Sequence, residues 1–96
     1  MKTFTKKYIK KLTATLNNTN IKSISKIINA LDNTKGKIYI IGNGGSAATA
    51  SHMVNDLGAG LRRRGIKSFD VESLNDNTPV CTALANDIGY KNVFYM

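Results

Sequence analysis

One stretch, Lys37–Leu57 (KIYIIGNGGSAATASHMVNDL), limits what this 96-residue chain can fold into more than any other. Ile38-Tyr39-Ile40-Ile41 is an unbroken apolar run rich in β-branched residues, the pattern of a parallel strand covered on both faces. Gly42-Asn43-Gly44-Gly45 breaks it, and glycine admits both positive φ and close approach of backbone to a ligand. From Ser46 the residues take helical spacing, with Met53 and Leu57 four apart on one face. Strand, glycine turn and helix together make an anion site, because free N–H groups and the positive dipole end meet at the helix start. A tight βα turn without a ligand has the same spacing. The turn is not a Walker loop, since no Gly-Lys-Ser/Thr follows, and it fails G-x-G-x-x-G at Ala47.

The flanks extend this pattern into an α/β chain with a parallel sheet, preceded by two amphipathic helices. Residues 1–36 form the helical segment and 37–96 a strand–helix–strand–helix unit, one domain overall. Phe4, Tyr8, Leu12 and Leu16 make an apolar stripe along the first helix, with lysines elsewhere on it. Asn17-Asn18-Thr19-Asn20 interrupts the chain, and Ile21, Ile24, Ile27, Ile28 and Leu31 mark a second helix ending near Asp32-Asn33. Gly58 and Gly60 are expected to end the helix after the glycine turn or to loosen its last turn, leaving Arg62-Arg63-Arg64 in a solvated loop before Gly65. Ile66–Leu74 reads as the second strand and Asn75-Asp76-Asn77 as a turn. Thr78 then caps a helix with Pro79 at its first position, Gly89 ends it, and a last helix opens over 90–96. Ligands of such sheets bind at the carboxyl ends of the strands, where the Gly42–Ser46 turn and the 75–78 loop lie.

Charge and composition remove other classes. The net charge is +8, and all of the excess sits in residues 1–37, which hold nine lysines and one acid. A basic arm suits nucleic acid or an anionic membrane, but this one has no Arg cluster and no interleaved aromatics, and a solvated lysine face accounts for it. No apolar run approaches the ~20 residues of a membrane span, and the first residues lack a secretory h-region. Cys81 is a single cysteine and forms no internal disulfide, which fits a reducing cytoplasm.

Two pairs carry potential chemistry. His52 and Asp56 are four apart and project from one helix face, a spacing that suits a divalent metal, an acid/base pair or a plain surface hydrogen bond. Asn86-Asp87 falls near a helix end, where an acid opposes the dipole, so stabilisation explains it poorly.

Gly42-Asn43-Gly44-Gly45-Ser46-Ala47-Ala48 with His52 and Asp56, and Thr82-Ala83-Leu84-Ala85-Asn86-Asp87 some thirty residues on, resemble the sugar isomerase (SIS) domain family, in its phosphoheptose isomerase branch. The resemblance runs from about Ile21 to Met96 and implies a flavodoxin-like or Rossmann-like SIS fold, in the amino-terminal half of such a protein. It implies an aldose–ketose isomerase converting sedoheptulose 7-phosphate to a heptose phosphate for surface polysaccharide. Asn43, Gly44, Gly45, Ser46, Asn86 and Asp87 would bind substrate, His52 and Asp56 would bind zinc, and Asp56 would be the catalytic acid/base. The family usually has Glu where this chain has Asp56, one methylene shorter. The family's second His, its Gln and its Ser/Thr-rich phosphate loop would lie beyond Met96, so the 96-residue chain is expected to be inactive by itself. The family's corresponding helices pack between subunits, so the resemblance implies a homo-oligomer, and a tetramer in that branch. A non-catalytic SIS scaffold or sugar-phosphate regulator, of the kind that assembles a replication initiator, is the alternative the resemblance leaves open.

Overall fold

The computed structural model describes residues 1–95. They fall into two compact units, Met1–Thr34 and the chain from Lys35 onward.

The first unit holds α1 (Lys2–Asn17) and α2 (Ile21–Asn33). Asn20 caps α2 through its side chain, which accepts from the Ser23 N–H at 3.1 Å. Neither helix buries a residue, and the expected stripe on α1 lies open, with Phe4 74% and Leu16 63% exposed. Among the described residues no helix is long and apolar enough to cross a membrane.

The second unit is built on two parallel strands, β1 (Ile38–Ile40) and β2 (Val71–Ser73), in the register Ile38 to Val71, Tyr39 to Glu72 and Ile40 to Ser73. Backbone bonds extend the pair at both ends, from the Ile38 N–H to the Asp70 carbonyl (2.8 Å) and from the Leu74 N–H to the Ile40 carbonyl (3.3 Å). Lys37 Nζ reaches Glu72 at 3.1 Å and Asp70 at 3.5 Å, across the start of the pairing. Two findings correct the reading of the strands. The second strand is three residues long rather than spanning 66–74. Cover comes from one side, since Tyr39 and Ile41 remain 59% and 51% exposed. Among the described residues the core is small: Ala50, Gly60, Val93 and the polar Ser73 are buried.

The helix after the glycine turn, α3 (Gly45–Val54), packs against both strands. Of the two outcomes expected at Gly58 and Gly60, an end or a loosened turn, the structure shows the second. The chain widens into a π-helical turn over Asn55–Gly60 and continues as α4 (Leu61–Arg63), so the arginines begin in a helical turn and not in a loop. A Cβ on Gly60 would sit 3.3 Å from the Asn55 carbonyl, closer than usual, whereas one on Gly58 would make ordinary contact with the Val71 side chain at 3.4 Å. The missing side chain at Gly60 lets the widened turn close on itself. The same turn alters the Met53–Leu57 relation, and Met53 is exposed while Leu57 is half-buried. Gly65, at φ +69°, stops the helix. Arg62 then donates to the Ser68 hydroxyl (3.1 Å), which donates to the Gly58 carbonyl (3.2 Å).

In α5 (Thr78–Leu84) the cap is Asn77, one residue earlier than expected, accepting from the Val80 N–H at 3.2 Å. A second π-helical turn, Ala85–Gly89, leads through Gly89 at φ +87° into a single 3₁₀ turn, Tyr90–Asn92. The last helix expected over 90–96 is thus one tight turn followed by further turns, and its end at Met96 lies outside the described residues.

Candidate functional site

The glycine turn joins the carboxyl end of β1 to α3, and each glycine has a separate role. A Cβ on Gly42 would lie 2.5 Å from the Ser46 carbonyl group, so only glycine lets the turn fold onto the helix start. Gly44 takes φ +55° and ψ −124°, a conformation that L side chains avoid. Gly45 has neither constraint, with open space where a side chain would stand.

Asn75, in the loop after β2, fixes the turn from across the sheet. Its Oδ1 accepts from the Gly42 N–H (2.9 Å) and its Nδ2 donates to the Gly42 carbonyl (2.6 Å), so one amide replaces a missing strand partner. Ser51 of α3 donates to the Asp76 carboxylate beside it. Within the turn, the Ser46 and Ala47 N–H groups are spent on the Asn43 and Gly44 carbonyls. The N–H groups of Asn43, Gly44 and Gly45 carry no protein hydrogen bond among the described residues. Three successive donors at the positive end of a ten-residue helix make an anion or oxygen cradle.

Asn43 and Gly44 line a cleft of about 370 Å³, with Asn75, Thr82 and Tyr90 among its other walls. That volume is in the range of small-molecule sites, ~300–1,000 Å³. Tyr90, also a lining residue, donates its hydroxyl hydrogen to Asn43 Oδ1.

The remaining residues singled out from the sequence stand apart from the lining. Gly45 and Ser46 adjoin it in sequence, at the head of α3. His52 Nε2 lies 3.3 Å from Asp56 Oδ2, so the i,i+4 pair forms, with both side chains mostly exposed. His52 is seven residues along the helix from Gly45, a rise of ~10 Å. Asn86 donates to the Asp87 carboxylate at 3.1 Å, and both are exposed.

The His52–Asp56 pair does not fit zinc by itself. A catalytic zinc takes three protein ligands and a structural one four, and the pair supplies two. Among the described residues no third His, Cys, Asp or Glu joins them.

The sequence reading missed Asn75 and Tyr90. Asn75 was visible as a turn former, but nothing local says that its amide crosses to Gly42, 33 residues away.

The family model for the SIS domain matches residues 3–96. The chain belongs to the SIS domain family. The relatives of this SIS chain include the phosphoheptose isomerase of Helicobacter pylori strain HPAG1, 46% identical over 69 residues that cover 70% of this chain and 34% of that protein. The phosphoheptose isomerase of Geotalea daltonii is 38% identical over 73 residues, 74% of this chain and 36% of its own. That of Thermodesulfovibrio yellowstonii is 40% identical over 76 residues, 77% and 36% of the two chains. The SIS chain thus spans about a third of the length of the curated relatives it matches. No solved structure matches it.

Proposed function

We propose that this SIS chain is the substrate-turn portion of a phosphoheptose isomerase, acting on sedoheptulose 7-phosphate in a cytoplasmic homo-oligomer. The observation that carries the reading is the cleft on the glycine turn, where Asn43 and Gly44 bring N–H donors with no protein partner among the described residues to a space of sugar-phosphate size. Relatives named phosphoheptose isomerase support the substrate class. The unburied apolar stripes of α1 and α2 support the homo-oligomer, since such faces need cover.

The reaction is a proton transfer between adjacent carbons. A base takes the proton beside the ketone, an enediol forms, and an acid returns the proton to the neighbouring carbon. The turn's N–H groups and the Asn43 amide are assigned to substrate oxygens, with Gly45, Ser46, Asn86 and Asp87 as further binding positions. Asp56 is assigned the proton transfer, and His52, 3.3 Å away, orients its carboxylate. Zinc would need donors besides these two.

The test is conversion of sedoheptulose 7-phosphate by the whole protein and by Asp56→Ala. The expected outcome is conversion by the first and a loss of about 10²–10⁴-fold in the second, with binding retained. Equal rates in both remove Asp56 from the chemistry. A second reading, a sugar-phosphate-binding regulator without turnover, is favoured by the separation of His52 and Asp56 from the cleft lining. Binding without conversion would select it.

A further inference from the structure

We propose that Tyr90 is a positioning residue that sets which end of the Asn43 amide meets the ligand. This rests on the sugar-phosphate reading of the cleft.

A primary amide has an acceptor end and a donor end, and a free asparagine presents either. Here the Tyr90 hydroxyl donates to Asn43 Oδ1 and occupies the acceptor end. Asn43 Nδ2 has no protein partner among the described residues, so the donor end is what the cleft offers. Sugar hydroxyls, a carbonyl and phosphate all present oxygen, and a fixed N–H donor matches each of them. Loss of Tyr90 lets the amide turn its oxygen toward those oxygens, which repels them.

The backbone places Tyr90 for this. Gly89, at φ +87°, takes the chain out of the helical path of α5. Val93, 7% exposed, anchors the segment three residues later. Asn43 is itself held, because the turn around it is clamped by Asn75 through Gly42. Both ends of the Tyr90–Asn43 bond are therefore fixed by separate parts of the fold, although the tyrosine is 60% exposed.

The experiment is ¹⁵N NMR of the side-chain amides of the full chain, free and titrated with sedoheptulose 7-phosphate, in wild type, Tyr90→Phe, Asn43→Ala and the double variant. In the free chain, Tyr90→Phe is expected to move the Asn43 amide signals and leave those of Asn75 in place. Affinity should fall about 3- to 10-fold, the size of one hydrogen bond. In the Asn43→Ala background the same change should cost less than about twofold, because the effect passes through Asn43. Unmoved Asn43 signals overturn the proposal, as does an equal loss in the Asn43→Ala background, which would make Tyr90 a direct contact. Displaced Asn75 signals also overturn it, by showing a general packing effect. A wild-type chain that binds no sugar phosphate defeats the reading of the cleft, and this role with it; the free-chain spectra separate that failure from absence of the Tyr90–Asn43 bond.

Discussion

At the scale of single residues, the glycine turn contains three glycines with three different tolerances. Gly42→Ala drives a Cβ into the Ser46 carbonyl at 2.5 Å, and neither group is a flexible side-chain end. We expect it to cost about 1–3 kcal/mol, read as a lower urea midpoint. Gly45→Ala meets open space in a helical residue, so stability should hold or rise by about 0.4–1 kcal/mol while sugar-phosphate binding weakens. If both variants unfold alike, the turn is not packed as described. Asn75 makes a parallel case. Asn75→Ala strands the half-buried N–H and carbonyl of Gly42, and should cost about 1–3 kcal/mol in the same assay. An unchanged midpoint would mean that water replaces the clamp.

At the scale of elements, the parallel pair is held by three residues a side and by Lys37 across its first step. The hydrogen bond to Glu72, then the charges of Asp70 and Glu72, raise the Lys37 pKa above its ordinary 10.5. A raised value means that the folded chain holds the proton more tightly than the unfolded one. The resulting stabilisation is full below pH 10.5 and fades as pH climbs through the raised value. Lys37→Met should therefore narrow the stability difference between about pH 9 and about pH 11, measured by urea unfolding. Salt should weaken the contribution, because the lysine and its partners are solvent-exposed. An identical alkaline decline in wild type and variant would remove Lys37 from the pairing. The π-helical turns act at the same scale. Asn55–Gly60 carries the chain past β2, with Gly58 beside Val71, and Ala85–Gly89 delivers Tyr90 to the cleft.

At the scale of the whole molecule, the chain has more apolar surface than core. Among the described residues, Ala50 and Val93 are the buried apolar side chains, while Phe4, Tyr8, Leu12 and Leu16 stand open along one side of α1. A homo-oligomer that covers this stripe should show a mass that rises with concentration in sedimentation equilibrium. Leu12→Lys with Leu16→Lys should raise its dissociation constant about tenfold or more, as each buried leucine contributes about 1.5–3 kcal/mol. A variant that associates as tightly as wild type would assign the contact elsewhere.

The sequence by itself determined what depends on near neighbours. The stripes of α1 and α2, the glycine turn after a β-branched run, the His52–Asp56 spacing and the stop at Gly89 were all legible, because each is settled within one or two helical turns. The motifs of the turn and of Asn86-Asp87 also pointed to the SIS family. Local rules erred, or left a choice open, where tertiary contact outvotes propensity. Gly58 and Gly60 left an ended helix and a loosened turn equally open, and the chain takes the second, widening over Asn55–Gly60 and running on into α4. The second strand read as nine residues, and pairing with a three-residue β1 trimmed it to Val71–Ser73. The site's supports were not legible at all. Asn75 meets Gly42 across 33 residues and Tyr90 meets Asn43 across 47. Those meetings exist only once the parallel register has brought the ends of both strands together, and no spacing along the chain encodes which of several polar side chains will be within reach.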